Sequence, residues 1–141
     1  MSKIAFIFPG QGAQACGMGK DFYEQTETGK RIFDKATQLM GFSMPQLCFE
    51  ENDRLDITEY TQAAMVTASI AMMRVLEENG IKPDVAAGLS LGEYCALAAA
   101  GVMRMPSVPS ARGEYLCRRP YLWARAPWQL SWPWTLLPLK K

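Results

Sequence analysis

The eighteen residues from Asp84 to Gly101, DVAAGLSLGEYCALAAAG, restrict the possible folds more than any other stretch of the chain. An apolar run ending at Leu89 meets a G-x-S-x-G pattern, Gly88 to Gly92, which leads at once into an alanine-rich segment. A strand that reverses sharply into a helix across a serine needs glycines on either side, because the two backbones come too close for a Cβ. The helix then aims its N-terminal N–H groups at the reacting oxygen. The pentapeptide alone is common, and its position between strand and helix is what makes Ser90 the candidate nucleophile.

The rest of the body reads as strands alternating with helices. Lys3 to Phe8, KIAFIF, is a continuous apolar run ending at Pro9-Gly10, the pattern of a strand buried on both faces of a parallel sheet. Lys30 to Leu39 places Ile32, Phe33, Ala36 and Leu39 on one helical face, with Gly41 as the stop. Between Thr58 and Asn79, Ala63, Val66, Ile70 and Met73 form one stripe and Met65, Ser69, Met72 and Leu76 another, so this helix is expected between layers. DITE, Asp56 to Glu59, reads as its cap, and Gly80 with Pro83 as its end. Asp84 to Leu89 is the second strand, and Leu91 to Ala100 a helix closed by Gly101. The fold class is α/β.

Composition changes abruptly after Met103. All four tryptophans and six of the nine prolines lie beyond it, and a body with 8 basic and 13 acidic residues gives way to a tail with 7 basic and 1 acidic. The expected division is therefore residues 1–103 and 104–141. Arg interleaved with Trp suits phosphate or interfacial contacts, which is the functional alternative for the tail. The four cysteines, Cys16, Cys48, Cys95 and Cys117, show no C-x-x-C spacing, and with no histidine in the chain no common zinc set can be completed. Reduced thiols, no signal-peptide pattern and no apolar run long enough for a membrane span lead to the expectation of a soluble cytoplasmic protein without metal.

A second glycine-rich turn follows the first strand. FPGQGAQ can bring the backbone N–H of Gln11 towards a developing oxyanion. It does not meet the spacing of a phosphate loop or of a dinucleotide fingerprint. FIFPGQGAQ, TEYTQAAMVTASIA and GLSLGEYCALAAAG, in that order and spacing, resemble the malonyl-CoA:acyl carrier protein transacylases over Lys3 to Met103. The resemblance implies a parallel-sheet acyltransferase core with a nucleophile elbow, here stopping before the ferredoxin-like subdomain that family members carry later in the chain. It further implies ping-pong transfer in fatty acid biosynthesis. The serine attacks malonyl-CoA, and the thiol of acyl carrier protein then takes the malonyl group, with no cofactor beyond the substrates' own arms. Matched residue by residue, Ser90 is the nucleophile, the N–H groups of Gln11 and Leu91 form the oxyanion hole, and Gln62 lines the pocket. Leu89 stands where the family often has histidine.

The family's carboxylate-pairing arginine and its histidine base have no counterpart in Lys3 to Met103, and Arg112-Gly113 takes no role. Glu93 and Cys95 are the nearest conceivable bases in a generic serine hydrolase, although a helix surface and a helix core suit them better. From Arg104 onward, reading each codon from the third base of one residue's codon, with permissible codon choices, spells DAVRAIRKRGI, MQEAVPVG and MAAVLAMDTA, which resemble the family's continuation. The tail is thus expected to be out-of-frame sequence. A chain supplying part of a core is expected to leave sheet edges and apolar surface in water, to be poorly soluble or molten, and to turn over little or not at all. The competing expectation is a non-catalytic fragment with a cationic tail.

Overall fold

The computed structural model describes residues 3–102 and a strand at Trp134–Pro138. The boundary at Met103, Arg112-Gly113 and Cys117 lie outside the described residues. Strand β1 (Ala5–Phe8) leads through helices α1 (Lys20–Gln25), α2 (Glu27–Met40) and α3 (Met44–Phe49), a short 3-10 turn (Asp53–Asp56) and the long helix α4 (Thr58–Glu78). Strand β2 (Val85–Leu89), helix α5 (Gly92–Ala99) and strand β3 (Trp134–Pro138) follow.

β1 and β2 pair in parallel, from Ala5 opposite Val85 to Phe8 opposite Gly88. Their crossover is made of helices, as parallel pairing requires. β3 takes the other edge of β2 with antiparallel register, Val85 opposite Pro138 to Leu89 opposite Trp134. The parallel expectation therefore holds for β1 and β2 but not for the third strand. That strand comes from the tail, and it satisfies backbone groups of β2 that were expected to face water.

The apolar run of β1 is not buried on both faces. Phe8 is buried and Phe6 half-buried, whereas Ile7 is 66% exposed. Side chains alternate across a strand, and α5 packs on the face carrying Phe8, Ala86 and Gly88. Among the described residues nothing covers Ile7 on the opposite face. The residue pattern of a doubly covered strand is present, and one of the two covers is not.

Helix α2 spans the expected stretch and begins earlier, at a Thr26 cap whose hydroxyl accepts from the Gly29 N–H. It ends where Gly41 takes φ 76° and its N–H closes on the Thr37 carbonyl. α4 starts and stops as expected, with two corrections. Its N-cap is Ile57, with no side-chain cap, because Asp56 belongs to the preceding 3-10 turn. Its innermost face is Ala64, Ala68 and Ala71, small residues that let the helix sit close to its neighbours α2 and α5, while Val66 and Met72 of the expected stripes are half-buried. At its end, Gly80 N–H bonds Glu77 and Ile81 N–H bonds Leu76, a Schellman closure around Gly80 at φ 81°.

α1 and α3 complete a lid over α2 and α4. Phe33 of α2, fully buried, meets Tyr23 of α1 and Phe49 of α3 with ring centroids 5.6 and 5.0 Å away. These tilted and edge-on contacts each add about 0.5–1.5 kcal/mol to the burial itself. They anchor the segment that carries the glycine-rich turn, since Gly17 N–H bonds the Cys48 carbonyl at 2.7 Å.

Candidate active site

Ser90 is the one non-glycine residue with positive φ among the described residues, at 51°. Three glycines explain why the chain accepts it. A Cβ on Gly88 would fall closer than 3.0 Å to the Gly92 carbonyl and the Glu93 nitrogen, and a Cβ on Gly92 would collide with the carbonyl groups of Phe8 and Pro9. On Gly10 it would stand 2.8 Å from the Leu89 oxygen and 3.4 Å from Ser90 Cβ. The end of β1, the end of β2 and the first turn of α5 are thus packed backbone on backbone. The serine is left exposed at the junction.

This close packing brings PGQG and GLSLG together. Leu91, the N-cap of α5, is 2% exposed, so its buried side chain holds its backbone in place. The Ser90 carbonyl accepts from Glu93 N–H at 3.0 Å, and the Leu91 carbonyl from Tyr94 N–H at 3.3 Å. The backbone N–H groups of Gln11 and Leu91 donate to no other described group. Both belong to segments that meet at Ser90, and the N-terminus of α5 favours negative charge there.

Gln62, on α4, reaches the same turn through its side chain. Its Nε2 donates to Gln11 Oε1 at 3.4 Å, and Gln11 Nε2 donates to Thr58 Oγ1 at 3.2 Å. The sequence-derived site residues therefore fall in one neighbourhood. Ser90 and Leu91 sit at the elbow, Gln11 on the turn whose Gly10 touches Ser90, and Gln62 on Gln11. Thr58, which the sequence marks only as a helix start, joins them through its hydroxyl. Gln14 and Asp56 also join this turn, with Gln14 Nε2 donating to Asp56 Oδ1 at 3.1 Å. The signal for these positions is the polar run DITE, whose Asp56 bonds Gln14 rather than capping α4.

Neither sequence-adjacent base is supported as one. Burial pushes the Cys95 thiol up to about 12, so it stays protonated and unable to accept a proton. Glu93 lies half-buried in the first turn of α5, bonded to Ser90 through its backbone N–H alone, with no hydrogen bond from its carboxylate to the Ser90 hydroxyl among the described residues. No group of three or more metal-ligating side chains occurs among the described residues. No described helix is long and apolar enough to cross a membrane.

Residues 5–119 match the family model described as the acyl transferase domain, a match that continues past Met103. A malonyl CoA-acyl carrier protein transacylase of Bacillus subtilis is 46% identical over 120 residues, covering 82% of this chain and 38% of the relative. The chain thus spans well under half the length of that relative. Among solved structures, the malonyl-CoA:ACP transacylase of Synechocystis sp. PCC 6803 superposes with a TM-score of 0.71 at 36% identity, over 84% of this chain and 38% of that one. A malonyl-transacylase solved in complex with a type II PKS acyl-carrier protein superposes with a TM-score of 0.68 at 36% identity, over 75% and 34% of the two chains.

Proposed function

We propose, for a chain that belongs to the acyl transferase domain family, that its elbow is the nucleophile and oxyanion side of a malonyl-transfer site. Ser90 Oγ attacks the thioester carbonyl of malonyl-CoA, and its proton passes to a base. The carbonyl oxygen becomes an oxyanion held by the N–H groups of Gln11 and Leu91. Collapse expels coenzyme A as its thiol and leaves malonyl-Ser90. The phosphopantetheine thiol of acyl carrier protein then takes the malonyl group by the same steps in reverse, which makes the reaction a malonyl supply for fatty acid biosynthesis. Gln62 lines the pocket and steadies the turn through Gln11.

One observation carries the reading. A serine held at φ 51° at the junction of three glycine-dependent backbone contacts is strain that packing alone would not select. The relatives named for malonyl transfer, and the one solved with an acyl-carrier protein, support the choice of donor and acceptor. The free, buried thiols of Cys48 and Cys95 suit a cytoplasmic setting. For the residues from Arg104 onward, out-of-frame origin stays our reading, and the nucleotide sequence around Met103-Arg104 tests it.

The function is tested by incubating the chain with malonyl-CoA and mapping the adduct by mass spectrometry. One malonyl group on Ser90, lost in Ser90→Ala and discharged by holo acyl carrier protein, is the expected result. Unmodified Ser90 under conditions where the chain is folded would overturn it. Steady ester hydrolysis without acyl carrier protein would instead favour a hydrolase.

A further inference from the structure

The turn that carries Gln11 has little packing to hold it. Gly12, at φ 107°, has nothing within 4 Å of where a Cβ would stand, so this side of the turn faces solvent. Internally the turn is closed by a single bond, Ala13 N–H to the Gly10 carbonyl at 3.3 Å. An oxyanion donor must be fixed before charge develops, and this turn is fixed from outside.

We infer that Gln14 and Asp56 act as a strap that positions the Gln11 N–H for the acyl-transfer step, with both side chains serving as positioning residues. Gly12 N–H donates to Gln14 Oε1 at 2.8 Å, and Gln14 Nε2 donates to Asp56 Oδ1 at 3.1 Å. The direction of the relay is forced. An ionised carboxylate only accepts, so Asp56 turns the NH₂ end of Gln14 towards itself and leaves the amide oxygen for Gly12. Asp56 is itself tied to the core. Its 3-10 turn is capped by Asn52 Oδ1, which accepts from Arg54 and Leu55 N–H, both at 3.1 Å, and Leu55 is buried with its carbonyl accepting from the buried Thr61 hydroxyl.

The strap fixes the peptide on the C-terminal side of Gln11, while Thr58 and Gln62 fix its side chain. Held at both, residue 11 cannot swing its own N–H away from the elbow that Gly10 touches. Asp56 and Gln14 thereby link the body of the fold to the oxyanion side of the site without touching substrate. This inference rests on the malonyl-transfer reading, and its test has one arm that does not.

The test is a double-substitution cycle on the full chain, with Asp56→Ala, Gln14→Ala and the pair. Single-turnover malonylation of Ser90 at saturating malonyl-CoA is expected to fall about five-fold in each, the scale of one ordinary hydrogen bond lost at a solvent-exposed site. The half-saturating concentration is expected to stay unchanged. The double variant should be no slower than either single one, because two links of one strap are lost only once. Asp56→Asn, whose amide oxygen still accepts, should recover most of the rate. Independently of any substrate, amide exchange at Gly12 should quicken in Asp56→Ala while core amides such as Ala68 keep their protection. Wild-type acylation rates in the single variants, additive losses in the double one, or unchanged Gly12 exchange would each overturn the strap. If no variant and not even the parent chain is malonylated, the functional reading fails, and Gly12 exchange decides the strap alone.

Discussion

Replacing Ser90 by glycine should make the fold more stable while removing the proposed nucleophile. At φ 51° a residue with a Cβ sits in the left-handed region, at a cost of about 1–2 kcal/mol that glycine does not incur. Against this, glycine loses more backbone freedom on folding, about 0.4–1 kcal/mol. The hydroxyl contributes little to the balance, because the side chain is exposed, does not cap α5, and makes no side-chain hydrogen bond among the described residues. The net expectation is a gain of about 0.5–1 kcal/mol for Ser90→Gly. Ser90→Ala keeps the Cβ and the strain, and should lie within about 0.5 kcal/mol of the parent. Urea unfolding followed by far-UV circular dichroism resolves the difference, since at a slope of about 1–3 kcal/mol per molar the midpoint moves by a few tenths molar. A midpoint for Ser90→Gly at or below that of Ser90→Ala would refute the reasoning, and with it the claim that the elbow stores strain.

Gly88→Ala should destabilise by about 3 kcal/mol, the upper end for overpacking, because its Cβ meets backbone of α5 that cannot rotate away. Gly41→Ala, strained at φ 76° but with open space around it, should cost only about 1–2 kcal/mol in the same titration. Ile7→Ser should reduce binding of a hydrophobic dye and raise solubility with little change in midpoint, since Ile7 is 66% exposed on the uncovered sheet face. Equal dye binding would place the apolar surface elsewhere. Burial pushes the Cys48 and Cys95 thiols from 9.0 up to about 12, so peptide mapping after a thiol reagent at pH 8 should find the exposed Cys16 labelled and these two protected. Both folded-state values lie above the unfolded one, so this contribution to stability is complete below about pH 9 and declines between pH 9 and pH 12.

Features set by local rules were legible in the sequence. Helix α2 announced its apolar face and its glycine stop, and the elbow announced itself because Gly88 obeys a contact with Gly92 and Glu93 only a few residues on, whereas the contact that requires Gly92, with Phe8 and Pro9, is long-range and reached the sequence only as part of the motif. Ser43 ahead of Pro45, a cap with proline in the first turn, marks α3 in the sequence, whereas α1 follows Gly19, an N-cap with no side chain, and carries no such signal. The ambiguity of DITE has a physical origin. A short acid before a helix is equally useful as a cap or as a tether, and only the three-dimensional closeness of Gln14 shows which role Asp56 takes. Likewise Ile7 has the identity of a core residue, and burial depends on a covering layer that no local pattern encodes. Of the candidate site, motif and resemblance pointed to Ser90, Leu91, Gln11 and Gln62, which the structure brings into one neighbourhood. Their linkage through Thr58 and Gln62 to Gln11 was not legible, because it joins positions 47 and 51 apart in the sequence.

The chain contains no histidine, so on the proposed mechanism the proton of Ser90 is expected to limit the rate. On the proposed mechanism the oxyanion donors and the elbow act on the carbonyl, but the serine must still lose its proton, and general-base help is typically worth about 10²–10⁴-fold. Cys95 is kept protonated by burial and cannot substitute. Malonylation of this chain should therefore be slow and accelerated by added imidazole, which can reach an exposed serine. The acceleration should follow the neutral form, rising with pH as imidazole loses its proton near the histidine value of about 6.5. It should vanish in Ser90→Ala, and it should be weaker in Asp56→Ala if the oxyanion turn is loosened there. Acylation at a rate indifferent to imidazole would mean that the proton already has an acceptor within these 141 residues, and the candidate to examine would then be Glu93.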